Sequence, residues 1–394
     1  MLYLDETKRL EGEKSNQFLS VGVSAYFPQI KYNMHMANST LSGLKHFYKG
    51  RKIFITGHTG FKGAWLSAWL LRWGAQVTGY ALPPDTTPSL FTELNIRRHI
   101  RSIYADIRDY THLKKALHTC NPELIFHLAA QPLVLRSYQN PAETFSTNVL
   151  GTAYLLQAAS ALQTPCPLIN VTSDKCYANT TTVHPFKETD RLGGTDPYSM
   201  SKALSEQLTA YWREQVGYTA LATARAGNII GGGDWAAQRL IPDIVRSIHA
   251  GQPILLRMPY AIRPWQYILD ALFGYLLLGK KLTQQPSAYA QAWNFGPHTK
   301  QVLTAQDITD KMLQILGPAK VLKKTPDSAT AEAVCLKITA EKSRKYLGWQ
   351  TRYTARQALQ HTARWYRAFY NAENAATLVE NEFAAYEKTI ARLK

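Results

Sequence analysis

Lys52-Ile-Phe-Ile-Thr-Gly57-His-Thr-Gly60-Phe-Lys-Gly63 decides the fold. Lys52 to Thr56 is a short apolar run rich in β-branched residues, three glycines follow at GxxGxxG spacing, and Trp65, Trp69 and Trp73 then recur every four residues. This order reads as strand, tight turn, helix. A stripe of tryptophans at that spacing is what a helix buries against a sheet, so it predicts core and not a ligand face.

The alternation continues outward from that unit. Gln76–Tyr80, Ser102–Ala105, Leu124–Leu128, Leu168–Thr172 and Thr219–Ala224 read as further strands separated by helical segments, the last separator running from Tyr198 to Glu214. Strands alternating with helices predict an α/β protein built on a parallel sheet covered on both faces. With the glycine turn it is Rossmann-type and doubly wound. After Gly231 the texture loosens, with Pro242, Pro253, Pro259 and Pro264 punctuating short elements, as expected of a smaller, partly interleaved C-terminal substrate domain.

The expected divisions are 1–47, a disordered extension of which residues 1–45 could be removed with folding and turnover nearly unchanged; 48–235, the dinucleotide-binding domain; 236–371, mainly the substrate domain; and 372–394, a polar terminal helix. The chain has 394 residues and 45 Lys+Arg against 28 Asp+Glu, so the formal charge is 45 − 28 = +17. No run of five basic residues occurs, so the excess suits anionic small molecules, not nucleic acid. No apolar stretch approaches the roughly 18 residues of a membrane helix, the N-terminus lacks an apolar leader, and the four cysteines lack metal-ligand or paired spacing. A cytoplasmic protein with reduced thiols and no metal is expected.

Three motifs carry chemistry. In the first, Gly57 permits the turn, Gly60 lets the backbone approach a pyrophosphate and Gly63 lets the helix pack closely, leaving helix N–H groups aimed at phosphates. The second strand ends in Tyr80-Ala81 with no Arg or Lys for a 2′-phosphate, which favours NAD over NADP. Asp106 and Ile107 either bracket the adenine or, for Asp106, cap a helix. In the second motif, Asp196 and Pro197 suit an N-cap and first helical position, placing Tyr198 and Lys202 on one helical face. A nearby ammonium favours the phenolate, so the Tyr198 pKa is expected to fall toward that of a general base. The third, Thr172-Ser173-Asp174-Lys175 at a strand's C-terminal end, sets a hydroxyl, a carboxyl and an amine side by side where open α/β sheets present ligands.

Together with His127-Leu-Ala-Ala-Gln131, Ala224–Trp235 and Arg263-Pro-Trp-Gln266, these motifs resemble the CDP-glucose 4,6-dehydratase family of the extended short-chain dehydrogenase/reductases, over about residues 47–370. The resemblance implies a redox-neutral elimination on a CDP-activated hexose with tightly held NAD, contacted by Gly57, Thr59, Gly60, Phe61, Gly63, Asp106, Ile107, Ala129, Tyr198 and Lys202. Tyr198 would take the 4-hydroxyl proton, Ser173 would hydrogen-bond the reacting oxygen and Asp174 would expel the 6-hydroxyl as water. Lys175 would remove the C5 proton, which requires a neutral amine; charged, it would stabilise the enolate instead. The related TDP-glucose dehydratases carry Glu there. Arg239 and Arg263 are candidates for the diphosphate, and Asn228 and Asn294 for the sugar or its linking phosphate. The resemblance also implies a homodimer or higher homo-oligomer. The competing readings are an NAD-dependent nucleotide-sugar epimerase or reductase, which has no need of an acid at Asp174, and a dinucleotide-sensing regulatory protein that has lost catalysis.

Overall fold

The structure, a computed structural model, describes residues 37–164, 166–179, 184–297, 303–323 and 335–391. Seven parallel strands form the central sheet: β1 (Lys52–Thr56), β2 (Gln76–Ala81), β3 (Arg101–Tyr104), β4 (Leu124–His127), β5 (Leu168–Val171), β6 (Leu221–Ala226) and β7 (Ala292–Phe295). Their order is β7-β6-β5-β4-β1-β2-β3. The winding direction reverses between β1 and β4, where Thr56 lies opposite His127. Open α/β sheets bind ligands beyond the carboxyl ends of the strands at this reversal.

Alternation along the strands divides the core in two. Ile53 and Ile55 pack on one face of the sheet with Trp65, Trp69, Leu272 and Leu276, while Phe54 packs on the other with Leu113, Leu117 and Leu155. Both sides are therefore apolar, and the strand reads as an uninterrupted hydrophobic run instead of an alternating one. The tryptophan stripe belongs to α2 (Phe61–Arg72), and Trp65 and Trp69 are fully buried, as its spacing predicted.

Beyond β6 the chain leaves the sheet, returns through a long apolar helix (Ile268–Gln284) to add β7, and leaves again. Its excursions contribute short strand pairs: Ile254–Leu256 with Val321–Lys323, and Ile262–Arg263 with Leu303–Thr304. These lie over the carboxyl end of the sheet and help to close the cavity described below.

The N-terminal reading needs correction. Residues 1–36 lie outside the described part, but Ala37–Tyr48 is a helix, α1, with Leu44 and Tyr48 fully buried. Tyr48 donates to the Leu276 carbonyl at 2.8 Å. Lys45 pairs at 2.8 Å with Glu387 of the last helix, Ala375–Ala391, and Glu387 also accepts from the indoles of Trp69 (3.1 Å) and Trp73 (2.9 Å). The terminal helix is thus not simply polar: Leu378, Phe383, Tyr386 and Ile390 face the core. Sequence periodicity missed α1 because its apolar positions are few and its partners, Leu276 and Glu387, are 228 and 342 residues away.

Leu44→Ala should destabilise the protein by about 2–5 kcal/mol, the usual cost of a cavity at a buried leucine. Urea unfolding checks this, and a loss below about 0.5 kcal/mol, the scale of an ordinary surface substitution, would mean that α1 is not part of the core.

Candidate active site

The glycine turn sits at the sheet's reversal. Gly57 has φ +75°, and a Cβ there would lie 2.7 Å from the Ala129 nitrogen on the next strand's exit. A Cβ at Gly63 would lie 2.1 Å from the Gly57 carbonyl oxygen. Both positions are closed to any side chain. Gly60 is the N-cap of α2 and offers no side-chain acceptor, so the first-turn N–H groups remain directed at whatever occupies the turn. Beneath it, Thr56 Oγ1 shares a 2.7 Å hydrogen bond with His127 Nδ1 and accepts from the Leu128 and Ala129 nitrogens at 3.2 Å. Burial lowers the His127 pKa to about 3, keeping the ring neutral.

At the end of β5 a single turn of 3-10 helix, Asp174–Cys176, is capped by Ser173, whose hydroxyl accepts from the Lys175 nitrogen (3.2 Å) and donates to Asp174 Oδ1 (3.0 Å). Asp174 is 2% exposed, and its Oδ2 has no hydrogen-bond partner among the described residues. Burial pushes this carboxyl up against the opposing pull of Lys175, the Ser173 hydroxyl, Arg263 and Lys62. A buried carboxyl with a raised pKa and one open oxygen is suited to hold a proton and donate it.

Tyr198 and Lys202 come from the helix Pro197–Glu214, here α3. Asp196 caps it by accepting from the Ser199 nitrogen at 2.9 Å, and Pro197 occupies the first turn, as the sequence predicted. The expected fall in the Tyr198 pKa is not what the structure gives. Burial raises the phenol to about 12; Ser173 and Arg239 pull it down while Asp174 and Asp196 push it up. Lys202 is itself lowered to about 8, chiefly by burial, with Glu206 acting in the opposite sense. Desolvation outweighs the attraction that sequence spacing suggested.

A cavity of about 610 Å³ joins the glycine turn, the Asp174 turn and Tyr198, while Lys202 is buried outside its lining. Gly57, Thr59, Gly60, Phe61, Gly63, Asp106, Ile107 and Ala129 line it, as do Ser173, Asp174, Lys175, Tyr198, Asn228, Arg239 and Arg263. Asp106 is not a helix cap: Asp109 caps the following helix by accepting from the His112 nitrogen, whereas Asp106 pairs with Arg108 at 2.6 Å. Arg239 is held by Asp234 at 2.9 Å. Asn294 must be removed from the binding set. It is fully buried outside the cavity lining, accepting from Tyr177 (2.7 Å) and donating to the Phe186 carbonyl (3.1 Å). It ties β7 to the chain that follows Asp174.

Sequence reasoning missed a charged network behind the end of β5. Glu206 and Arg225, each 3% exposed, pair at 2.7 Å. Glu206 also accepts from the hydroxyls of Thr172 and Thr223, and Arg225 donates to Tyr177 at 2.9 Å. The ion pair thereby anchors both sides of the Ser173–Cys176 turn. The signal was present: Glu206 continues the four-residue spacing of Tyr198 and Lys202.

The fold and this site define an extended short-chain dehydrogenase/reductase. Residues 54–362 match the model of the GDP-mannose 4,6 dehydratase family, and the chain belongs to that family. It is 40% identical to the CDP-glucose 4,6-dehydratase of Salmonella typhimurium over 88% of this chain and 99% of that protein. It is 25% identical to the dTDP-glucose 4,6-dehydratase of Haemophilus influenzae, covering 80% and 97%. Among solved structures, the fold is shared with the dTDP-glucose 4,6-dehydratase of Streptomyces venezuelae, solved with NAD and TYD bound: TM-score 0.72, 24% identity, 81% of this chain and 98% of that one.

Glu206→Gln should cost about 3–5 kcal/mol, because it leaves the Arg225 guanidinium buried without its carboxylate. Denaturant unfolding tests this, and a loss under about 1 kcal/mol would show that the pair does not hold the turn.

Proposed function

We propose that this protein is an NAD-dependent nucleotide-sugar 4,6-dehydratase converting CDP-glucose to CDP-4-dehydro-6-deoxyglucose and water. The observation that carries the reading is Asp174, a buried carboxyl, its pKa pushed up by that burial, with an open oxygen in the same cavity as Tyr198. An epimerase needs the tyrosine but not this acid. The preference for CDP is supported by the 40% identity to the Salmonella typhimurium enzyme.

The residues at the sheet's reversal fit a dinucleotide: the turn is one that a Cβ at Gly57 or Gly63 would fill. Gly57, Thr59, Gly60, Phe61 and Gly63 would hold its diphosphate, Asp106 and Ile107 its adenosine end, and Ala129, Tyr198 and Lys202 its reactive end. When bound, NAD supplies an acceptor for the C4 hydrogen and returns it to C6 within one turnover.

The chain's own groups move the protons. Tyr198 accepts the 4-hydroxyl proton while Ser173 hydrogen-bonds the same oxygen. The resulting 4-ketone acidifies C5, Lys175 takes the C5 proton or stabilises the enolate, and Asp174 protonates the departing 6-hydroxyl. These steps are electrostatically linked. The negative charge of Asp174 is one of the influences raising the Tyr198 pKa, so protonation of Asp174 favours the Tyr198 phenolate, the form that can accept the 4-hydroxyl proton. Arg239 and Arg263 offer guanidinium groups to the diphosphate of the sugar nucleotide, and Asn228 a side-chain amide to its sugar or linking phosphate.

Two further parts belong to the reading. Self-association across a helix face is supported by the exposed apolar side chains of Met200 and Tyr211 on α3; light scattering that finds only monomer would remove it. A cytoplasmic setting is supported by four unpaired thiols, and recovery of the protein outside the cytoplasm with its thiols oxidised would oppose it.

Asp174→Asn preserves shape and removes the titratable proton. The expected outcome is loss of dehydration by roughly 10²–10⁴-fold, the usual range for general acid catalysis, with a 4-keto hexose still bearing its 6-hydroxyl accumulating on the enzyme. Mass spectrometry of quenched single-turnover mixtures reads this directly. Dehydration at the unaltered rate would take Asp174 out of the acid's role.

A further inference from the structure

Tyr366 lies outside the cavity lining, yet its hydroxyl holds the loop that carries Asp234. It belongs to a helix, α4 (Ala355–Tyr370), begun by a reciprocal cap in which the side chains of Thr354 and Gln357 each accept from the other's backbone nitrogen, at 3.2 and 2.9 Å. Leu359, Thr362, Ala363 and Tyr366 recur at helical spacing and are buried. The helix packs on the Gly231–Trp235 loop: a Cβ at Gly232 would lie 2.0 Å from the Trp365 ring, and the Gly232 carbonyl accepts from the Trp65 indole at 2.9 Å. The loop is therefore fixed between α2 and α4.

The Tyr366 hydroxyl donates to the Asp234 carbonyl at 2.5 Å and accepts from the Asp234 nitrogen at 2.9 Å, meeting both backbone groups of one residue. The Asp234 carboxylate works on the cavity side, where Oδ2 holds Arg239 at 2.9 Å and Oδ1 accepts from the Ala236 nitrogen at 3.1 Å. Both residues line the cavity, but the Arg239 side chain is 34% exposed and that of Asp234 only 8%, so the guanidinium is the member open to a ligand. We propose that Tyr366 is a positioning residue for the diphosphate of the sugar nucleotide, acting through Asp234 on Arg239. The proposal rests on the reading of Arg239 as a diphosphate ligand. A free arginine side chain samples many rotamers, and binding loses less entropy when the guanidinium is already held in place. Asp234 supplies that hold only while its own backbone is fixed, which is the task of the Tyr366 hydroxyl.

Calorimetric titration of the NAD-loaded protein with CDP, with kcat and KM for CDP-glucose measured alongside, tests this in Tyr366→Phe, Arg239→Gln and the double variant. Tyr366→Phe should weaken CDP binding and raise KM by roughly three- to tenfold, the scale of one neutral hydrogen bond, with kcat and the Kd for NAD within about twofold of the wild type. A hydroxyl that served folding alone would lower the melting temperature and leave Kd and KM unmoved. Added to Arg239→Gln, the same substitution should cost less than about twofold more, because the guanidinium it positions is gone. The proposal alone is overturned by unchanged CDP affinity in Tyr366→Phe beside a weakened Arg239→Gln, by an equal loss of NAD affinity, or by losses that multiply in the double variant. If Arg239→Gln binds CDP as the wild type does, the diphosphate reading of Arg239 falls and this proposal falls with it.

Discussion

The close approach of Gly57 to Ala129 is the constraint on which the rest of the molecule depends. Two parallel strands diverge at this point, and the turn leaving β1 passes so near the exit of β4 that a methyl group would sit 2.7 Å from a backbone nitrogen. Thr56 and His127, opposite each other in register, hold the two strand ends together through a buried neutral imidazole. The start of α2 is thereby aimed across the carboxyl end of the sheet. The Asp174 turn and the arginines of the later excursions line the same cavity as that helix terminus.

The chemistry depends on competition between burial and charge. Desolvation raises Asp174 and Tyr198 and lowers Lys202 and Lys62, so each of these groups is moved toward its neutral form. For the two amines this brings proton exchange toward neutral pH, whereas for the Tyr198 phenol it moves it away. Against the effect of burial, Asp234 raises the pKa of Arg239, which keeps its charge, so the cavity still attracts anions. The chain's excess of 17 positive charges is consistent with that role.

Much of this was legible in the sequence because it is local. The KIFIT run, the glycine spacing and the Asp196-Pro197 start of the Tyr198 helix are each set within a dozen residues, and the fold class followed from their alternation. What failed was long-range. The helix at Ala37–Tyr48 is stabilised by Leu276 and Glu387, which no window around residue 40 contains. Asn294 has the chemistry of a sugar ligand, but β7 inserts it between Tyr177 and Phe186. The Tyr198 pKa was misjudged for a related reason: helical spacing reports the neighbour at four residues, whereas burial, the larger influence, depends on the whole packed assembly.

In the proposed reaction one turnover removes hydrogen from C4, expels the 6-hydroxyl and restores hydrogen at C6 of the same hexose. Incubating the protein with CDP-glucose deuterated at C4 and locating the label by NMR tests it most directly. The expected result is deuterium in the C6 methyl group of a 4-keto-6-deoxy product, with no consumption of added NAD. Deuterium retained at C4 with inverted configuration would rule out this reaction and identify an epimerase.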